Sequence, residues 1–246
     1  ILTATVRREI PERLGVTLRL VEDGVYDRGA TRTNRKEAER LVQEVVRILS
    51  EEPQSGSIGV VTFSSAQQRL IEDLFDAARR EHPEIEPHFA FGDEPVFVKN
   101  LENVQGDERD TILFSVGYGR DATGRMTMTL GPLNVKGGER RLNVAVTRAR
   151  KRLIVFSSIR AEDIDLRSSK SEGLRHFRTF LEYAERGPRA IAEAFERAAG
   201  ETESPFEDAV RDALRARGYD IDAQIGCAGY RIDLAVRDPE RPGRYL

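Results

Sequence analysis

Two periods of hydrophobic spacing alternate along most of this chain. Asn34 followed by Glu37 has the spacing of a capping box, and Ala38, Leu41, Val42, Val45, Val46 and Leu49 then recur at helical intervals. The pattern predicts an amphipathic helix. "SIGVVTF" (57–63) is a nearly continuous apolar run rich in β-branched residues, and Leu70, Ile71, Leu74, Phe75 and Ala78 follow it at helical spacing. Further strands are predicted at 96–100, 111–116 and 152–158, with a helix at about 139–149. Strand and helix in turn predict an α/β fold in which a buried parallel sheet is flanked by crossover helices. In such sheets ligands are expected at the carboxyl ends of the strands.

After residue 159 the pattern changes. Leu174, Phe177, Leu181 and Ala184 share one helical face, "ERGPRA" interrupts it, a second helix is predicted up to 199, and "GETESP" follows. Ser204 as cap and Pro205 at the first helical position open a short helix with Phe206, Val210, Ala213 and Leu214 on one face, closed by Gly218. Two alternating runs come next: Tyr219, Ile221, Ala223 and Ile225, then Tyr230, Ile232, Leu234 and Val236, with "GCAG" as the turn. The expected organisation is an α/β domain over 1–160, a helical connector over 161–199 and a separate small domain over 200–246.

Composition narrows the function classes. With 246 residues and 39% apolar content the chain can bury a sizeable core, but 39 Lys plus Arg against 42 Asp plus Glu give no global basic field. Contact with nucleic acid would have to be local. One cysteine, Cys227, excludes an internal disulfide and a cysteine-cluster metal site. No apolar run approaches about 18 residues. A cytoplasmic protein with no membrane partner is expected, and a start without methionine together with the abrupt "GRYL" end suggests part of a longer chain.

Against that balance, "RRLNVAVTRARKRLIVF" (140–156) concentrates cations around two apolar runs. If Leu142, Ala145, Val146 and Ala149 face inward, Arg141, Arg148 and Asn143 are left at an exposed or cleft side. A guanidinium there suits a phosphate and could stabilise charge on a transferring phosphoryl group. The alternative is a solvated basic face near a helix C-terminus. A second candidate is "NVQGDERDTILFS" (103–115), a glycine among Gln105, Asp107, Glu108 and Asp110 directly before an apolar strand. Such a turn offers polar side chains and free backbone N–H groups to a ribose, a phosphate or a nucleic-acid backbone. An ordinary acidic turn at a strand entry has the same composition.

Taken together and in order after "SIGVVTFSSAQQ", these stretches resemble the second motor lobe of superfamily 1 helicases, in the branch of the nonsense-mediated-decay and Dna2-type enzymes. "ENVQGDERDTILFS" is similar to motif V and "ERRLNVAVTRARKRLIV" to motif VI; the resemblance covers about 34–158. It implies a RecA-like fold, ATP and Mg²⁺ as cofactors and single-stranded DNA or RNA as partner. It makes Arg148 the arginine finger, places Gly106 and Glu108 against the nucleotide, and has Gln105 couple nucleotide to nucleic acid. Arg141 would support the helix and loop, and Thr62, Ser64 and Gln67 fall in the region that contacts the nucleic-acid backbone. No G-x-x-x-x-G-K-[ST] occurs in the sequence, so the phosphate-cradling loop is expected from a first motor lobe of the same full-length chain. The alternative is a non-catalytic RecA-like module that holds a partner protein or nucleic acid.

In the last segment Asp233 lies on the polar side of an alternating strand and Glu207 on the preceding helix. A carboxylate there can ligate a divalent metal, although Glu207 also fits a capping box with Ser204. "SPFEDAVRDALRARGYDIDAQIGCAGYRIDLAV" resembles the opening of PD-(D/E)xK nuclease-like domains related to very-short-patch repair endonucleases. The resemblance makes Glu207 and Asp233 metal-site residues of an incomplete site.

Overall fold

A computed structural model describes residues 15–52, 55–167, 169–187, 190, 205–225, 232–237 and 245. The chain divides after Gly187 into two compact units.

Five strands form the sheet of the first unit: β1 (Gly15–Leu20), β2 (Ile58–Thr62), β3 (Phe97–Asn100), β4 (Arg109–Ser115) and β5 (Ala149–Ser157). Their order is β1-β5-β4-β2-β3 and every pairing is parallel. The continuous apolar runs are explained by the alternation of side chains across a sheet buried on both faces. Ile58, Val60, Leu113, Ile154 and Phe156 pack toward one core, and Val61, Ile112, Phe114, Leu153 and Val155 toward the other.

Helices α1 (Arg35–Glu51) and α2 (Ser65–Glu81) cover the first core with Leu41, Val45, Ile48, Ile71 and Phe75. The second core lies under α4 (Gly138–Val146) and α5 (Glu172–Arg186), through Leu142, Ala145, Leu174, Phe177 and Leu181. A short helix α3 (Glu86–Ala90) precedes β3. Helices on both faces of a parallel sheet make this a RecA-like α/β fold.

Two connections depart from the expected pattern. Between β3 and β4 no helix intervenes; residues 101–108 run as a loop from the carboxyl end of β3 to the amino end of β4, anchored by buried Leu101 and Val104. The helix expected as the start of a connector, α5, is instead a core element of the first unit. Phe177 is fully buried and meets Phe63 edge-on, with ring centroids 4.9 Å apart. Gly173 sits so close to α4's entry that an added Cβ would lie 2.3 Å from the Leu133 carbonyl oxygen.

In the second unit, α6 (Pro205–Arg215) precedes an antiparallel pair, β6 (Ile221–Ile225) and β7 (Ile232–Val236). Ile221 pairs with Val236 and Ile225 with Ile232, so the two alternating runs pair with one another. The helix predicted up to 199 and the "GCAG" turn lie outside the described residues.

Candidate functional site

Arg148 is not on a helix. The α4 helix ends at Val146, and Thr147 turns its hydroxyl back onto the carbonyls of Asn143 (3.0 Å) and Val144 (2.9 Å). The Arg148 backbone N–H then donates to Ala145 O (3.2 Å), and its Nε to Val144 O (2.8 Å). These bonds satisfy the last turn of the helix and hold the guanidinium at the mouth of β5. One residue later β5 begins, and the Arg109 N–H at the head of β4 donates to Arg148 O (3.1 Å).

That contact brings the two sequence candidates together. Arg148 Nη1 lies 3.5 Å from Glu108 Oε1, with the arginine side chain 18% and the glutamate 51% exposed. Gln105 and Gly106 are exposed on the same loop. Gly106 has φ 92° and nothing within 4 Å of a built Cβ, so backbone conformation rather than space calls for glycine. Lys99 of β3 fixes the loop through Asp107 at 2.5 Å.

The cluster therefore lies at the amino ends of β4 and β5, not at the carboxyl ends as the general rule for such sheets predicted. The physical reason is the extended β3–β4 loop, which carries residues 105–108 the full depth of the sheet, together with the two-residue turn after α4. Arg141 stands two turns back on α4, its Nη1 donating to Lys136 O at 3.4 Å. Arg150, although next but one to Arg148, is committed elsewhere: it binds Glu94 (2.5 and 2.8 Å), Asp110 (3.0 Å) and Ser57 Oγ (2.9 Å). Its guanidinium holds the Glu94 carboxyl down at about 2.

The three residues expected to touch a nucleic-acid backbone have structural employment for their side chains. Thr62 is buried and donates to Ser64 O (2.9 Å), and Ser64 Oγ caps α2 by accepting from Gln67 N (3.2 Å). Gln67 is fully buried. It accepts from Asn34 N (2.8 Å) and donates to Asn34 O (3.0 Å) and Ser115 Oγ (3.1 Å). In this geometry its side chain cannot reach a ligand at the surface.

This network contains a carboxylate whose role the sequence concealed. Asn34 Oδ1 does accept from Glu37 N (3.2 Å), but Glu37 does not return to the cap; its carboxylate enters the interior and accepts from Ser115 Oγ (2.7 Å), Gly117 N (2.6 Å) and Ser158 Oγ (3.3 Å). The available signal was that Glu37, Leu41, Val45 and Ile48 form one stripe. Complete burial pushes the Glu37 carboxyl up to about 7, only partly opposed by the Ser115, Gly117 and Ser158 donors. Because the folded value exceeds the ordinary carboxylate range, stability from this group is full below about pH 4 and is lost as pH rises through about 7. The expected loss is up to ~3 kcal/mol. Urea unfolding midpoints at pH 5 and pH 8 check this, and Glu37→Gln is expected to flatten the difference.

Glu207 falls on α6 and Asp233 on β7, with their side chains outside the described residues. Among the described residues no three His, Cys, Asp or Glu side chains gather as a metal site, and no described helix is long and apolar enough to cross a membrane.

The parallel sheet with helices on both faces, carrying Arg148 and the Gly106 loop at the amino ends of β4 and β5, defines a RecA-like α/β domain. Residues 17–160, more than half of the chain, match the AAA domain family, and the chain belongs to that family. It is 37% identical over 202 residues to an uncharacterized ATP-dependent helicase of Mycoplasma genitalium, covering 78% of this chain and 17% of that protein. The homologous Mycoplasma pneumoniae helicase is 36% identical over 67% of this chain and 14% of its own length. A helicase required for RNAi-mediated heterochromatin assembly in Schizosaccharomyces pombe is 28% identical over 59% of this chain, 13% of that protein. The chain thus spans less than a fifth of each of these relatives.

Proposed function

We propose that this chain is the second motor lobe of an ATP-dependent superfamily 1 helicase, supplying an arginine finger and part of the coupling to single-stranded DNA or RNA. The observation that carries this is the meeting of Arg148 with Glu108 on the loop that also bears Gln105 and Gly106. Two of the Arg148 nitrogens are tied to Val144 O and Thr147 Oγ1, which aims the group, while Nη1 faces only a half-exposed carboxylate. These residues fit a nucleoside triphosphate: a pre-aimed cation for the phosphate charge, and backbone N–H groups beside an exposed glycine. ATP with Mg²⁺ would supply the phosphoryl group, its phosphates cradled by a facing lobe.

Within this lobe, Arg148 would exchange Glu108 for the γ-phosphate and offset charge that builds up there in transfer. Glu108, released, would be free to accept from the nucleotide. The loop from 101 to 108 spans the sheet from carboxyl to amino end, so displacement at one end by a nucleic-acid strand is transmitted to the other through a tethered segment. In the full-length protein, Gln105→Ala and Glu108→Ala are expected to reduce the stimulation of ATP hydrolysis by single strands about tenfold, a coupling of ~1–3 kcal/mol. Steady-state hydrolysis with and without oligonucleotide measures it. Unchanged stimulation in both variants would reduce the loop to a turn and sink the proposal.

A further inference from the structure

Arg109 has no part in the proposal above, yet its environment is unlike that of any surface arginine here. It is 9% exposed at the head of β4, and its guanidinium is spent on main-chain oxygens rather than on a carboxylate. Nε and Nη2 donate to Pro95 O (3.3 and 2.9 Å), and Nη1 to Glu108 O (2.8 Å). The planar group stacks on Phe97 with Cζ 4.8 Å from the ring centroid. Burying a guanidinium is costly for general stability, whereas a fork that joins two loops fixes their geometry.

The backbone of the same residue makes the remaining connection. Arg109 N donates to Arg148 O (3.1 Å), and immediately beyond this point the β4–β5 register shifts, from Arg109↔Ala149 to Thr111↔Arg152. The extra residue on β5 turns both Arg150 and Lys151 onto Asp110, at 3.0 and 3.1 Å. Bulges of this kind re-aim neighbouring side chains. Here the bulge begins just past Ala149, so the placement of the Arg148 backbone depends on how the head of β4 is held.

We infer that Arg109 is a positioning residue: through Pro95 O, Phe97 and Glu108 O it sets Glu108 and Arg148 at the separation the nucleotide needs. The inference rests on the motor-lobe assignment and adds to it a residue that touches neither phosphate nor nucleic acid. Its side chain holds the head of β4 through Pro95 O and Glu108 O, and its N–H carries that placement on to Arg148 O.

The test uses the full-length protein and separates positioning from stability. Arg109→Met keeps a stem able to pack on Phe97 but removes the fork. It is expected to lower kcat for ATP hydrolysis about 10²-fold, the scale of a misplacement near 1 Å, with KM within a fewfold of the parent. Arg109→Lys retains the charge on one ammonium nitrogen in place of the planar fork, and should recover about tenfold of that loss. In an Arg148→Ala background, Arg109→Met is expected to add no further loss, because a residue that acts through Arg148 is silent once Arg148 is gone. Additive losses, or a thermal midpoint that falls in step with kcat, would make Arg109 a plain stabilising residue and overturn the inference. If Arg148→Ala itself leaves hydrolysis intact, the motor assignment fails; if only Arg109→Met hydrolyses at the parental rate, that assignment stands and the positioning role is lost.

Discussion

Arg148→Ala in the full-length protein is expected to reduce nucleotide hydrolysis about 10³-fold or more while leaving nucleotide binding within a fewfold of the parent. The expected loss amounts to ~4 kcal/mol of transition-state stabilisation. Its basis is geometric. The Arg148 guanidinium is held by Val144 O at 2.8 Å and Thr147 Oγ1 at 3.1 Å, so its direction is set before any ligand arrives. Such preorganisation acts on charge that develops in transfer rather than on the ground state. Arg150 provides the internal control: with Glu94 and Asp110 already on its guanidinium, Arg150→Ala is expected to alter stability more than turnover. Single-turnover hydrolysis alongside binding of a non-hydrolysable nucleotide separates the two effects. An Arg148→Ala protein turning over within a fewfold of the parent would remove the finger role.

What the sequence displayed of this arrangement depended on whether the cause was local. Strands β2, β4 and β5 were legible because burial on both faces demands unbroken apolar runs, and α1 and α2 because one-sided burial demands a 3.6-residue stripe. The pairing of Arg148 with Glu108 was legible only as two motifs in order, since about 40 residues separate them and nothing in either stretch names the other. The end of α4 was not legible: Asn143 to Ala149 keeps helical spacing, yet the Arg148 N–H turns to Ala145 O and the chain passes into β5. The interior partners of Glu37 and Gln67 were not legible, for a shared reason. Both occupy first-turn positions where a polar side chain suits a capping or surface role, and only the fold shows that Ser115, Gly117, Ser158 and Asn34 offer them interior partners. Arg109 was hidden likewise, as one charge among the four of "GDERD".

Phe177→Ala is expected to destabilise the first unit by about 3–5 kcal/mol, the usual cost of emptying a buried phenylalanine site. The expectation separates a core helix from a connector, for which an apolar-to-alanine change would cost well under that. Phe177 is fully buried and lies 4.9 Å from the Phe63 ring at 72°, and Phe63 in turn lies 5.3 Å from Phe114 at 85°. Removing the first ring leaves a void beside Phe63, just past the carboxyl end of β2, and edge-to-face contacts of this kind add to the area term. Against a total stability of about 5–15 kcal/mol the loss is large enough to shift the urea midpoint plainly. The effect should reach the candidate site as well, because α5 buttresses α4 through Ser171 Oγ, which donates to Leu133 O at 2.6 Å just ahead of the helix that leads to Arg148. Urea unfolding followed by far-ultraviolet circular dichroism gives the first number, and hydrolysis by the folded fraction the second. A midpoint unchanged by Phe177→Ala would detach α5 from the core and return it to the role of a tether.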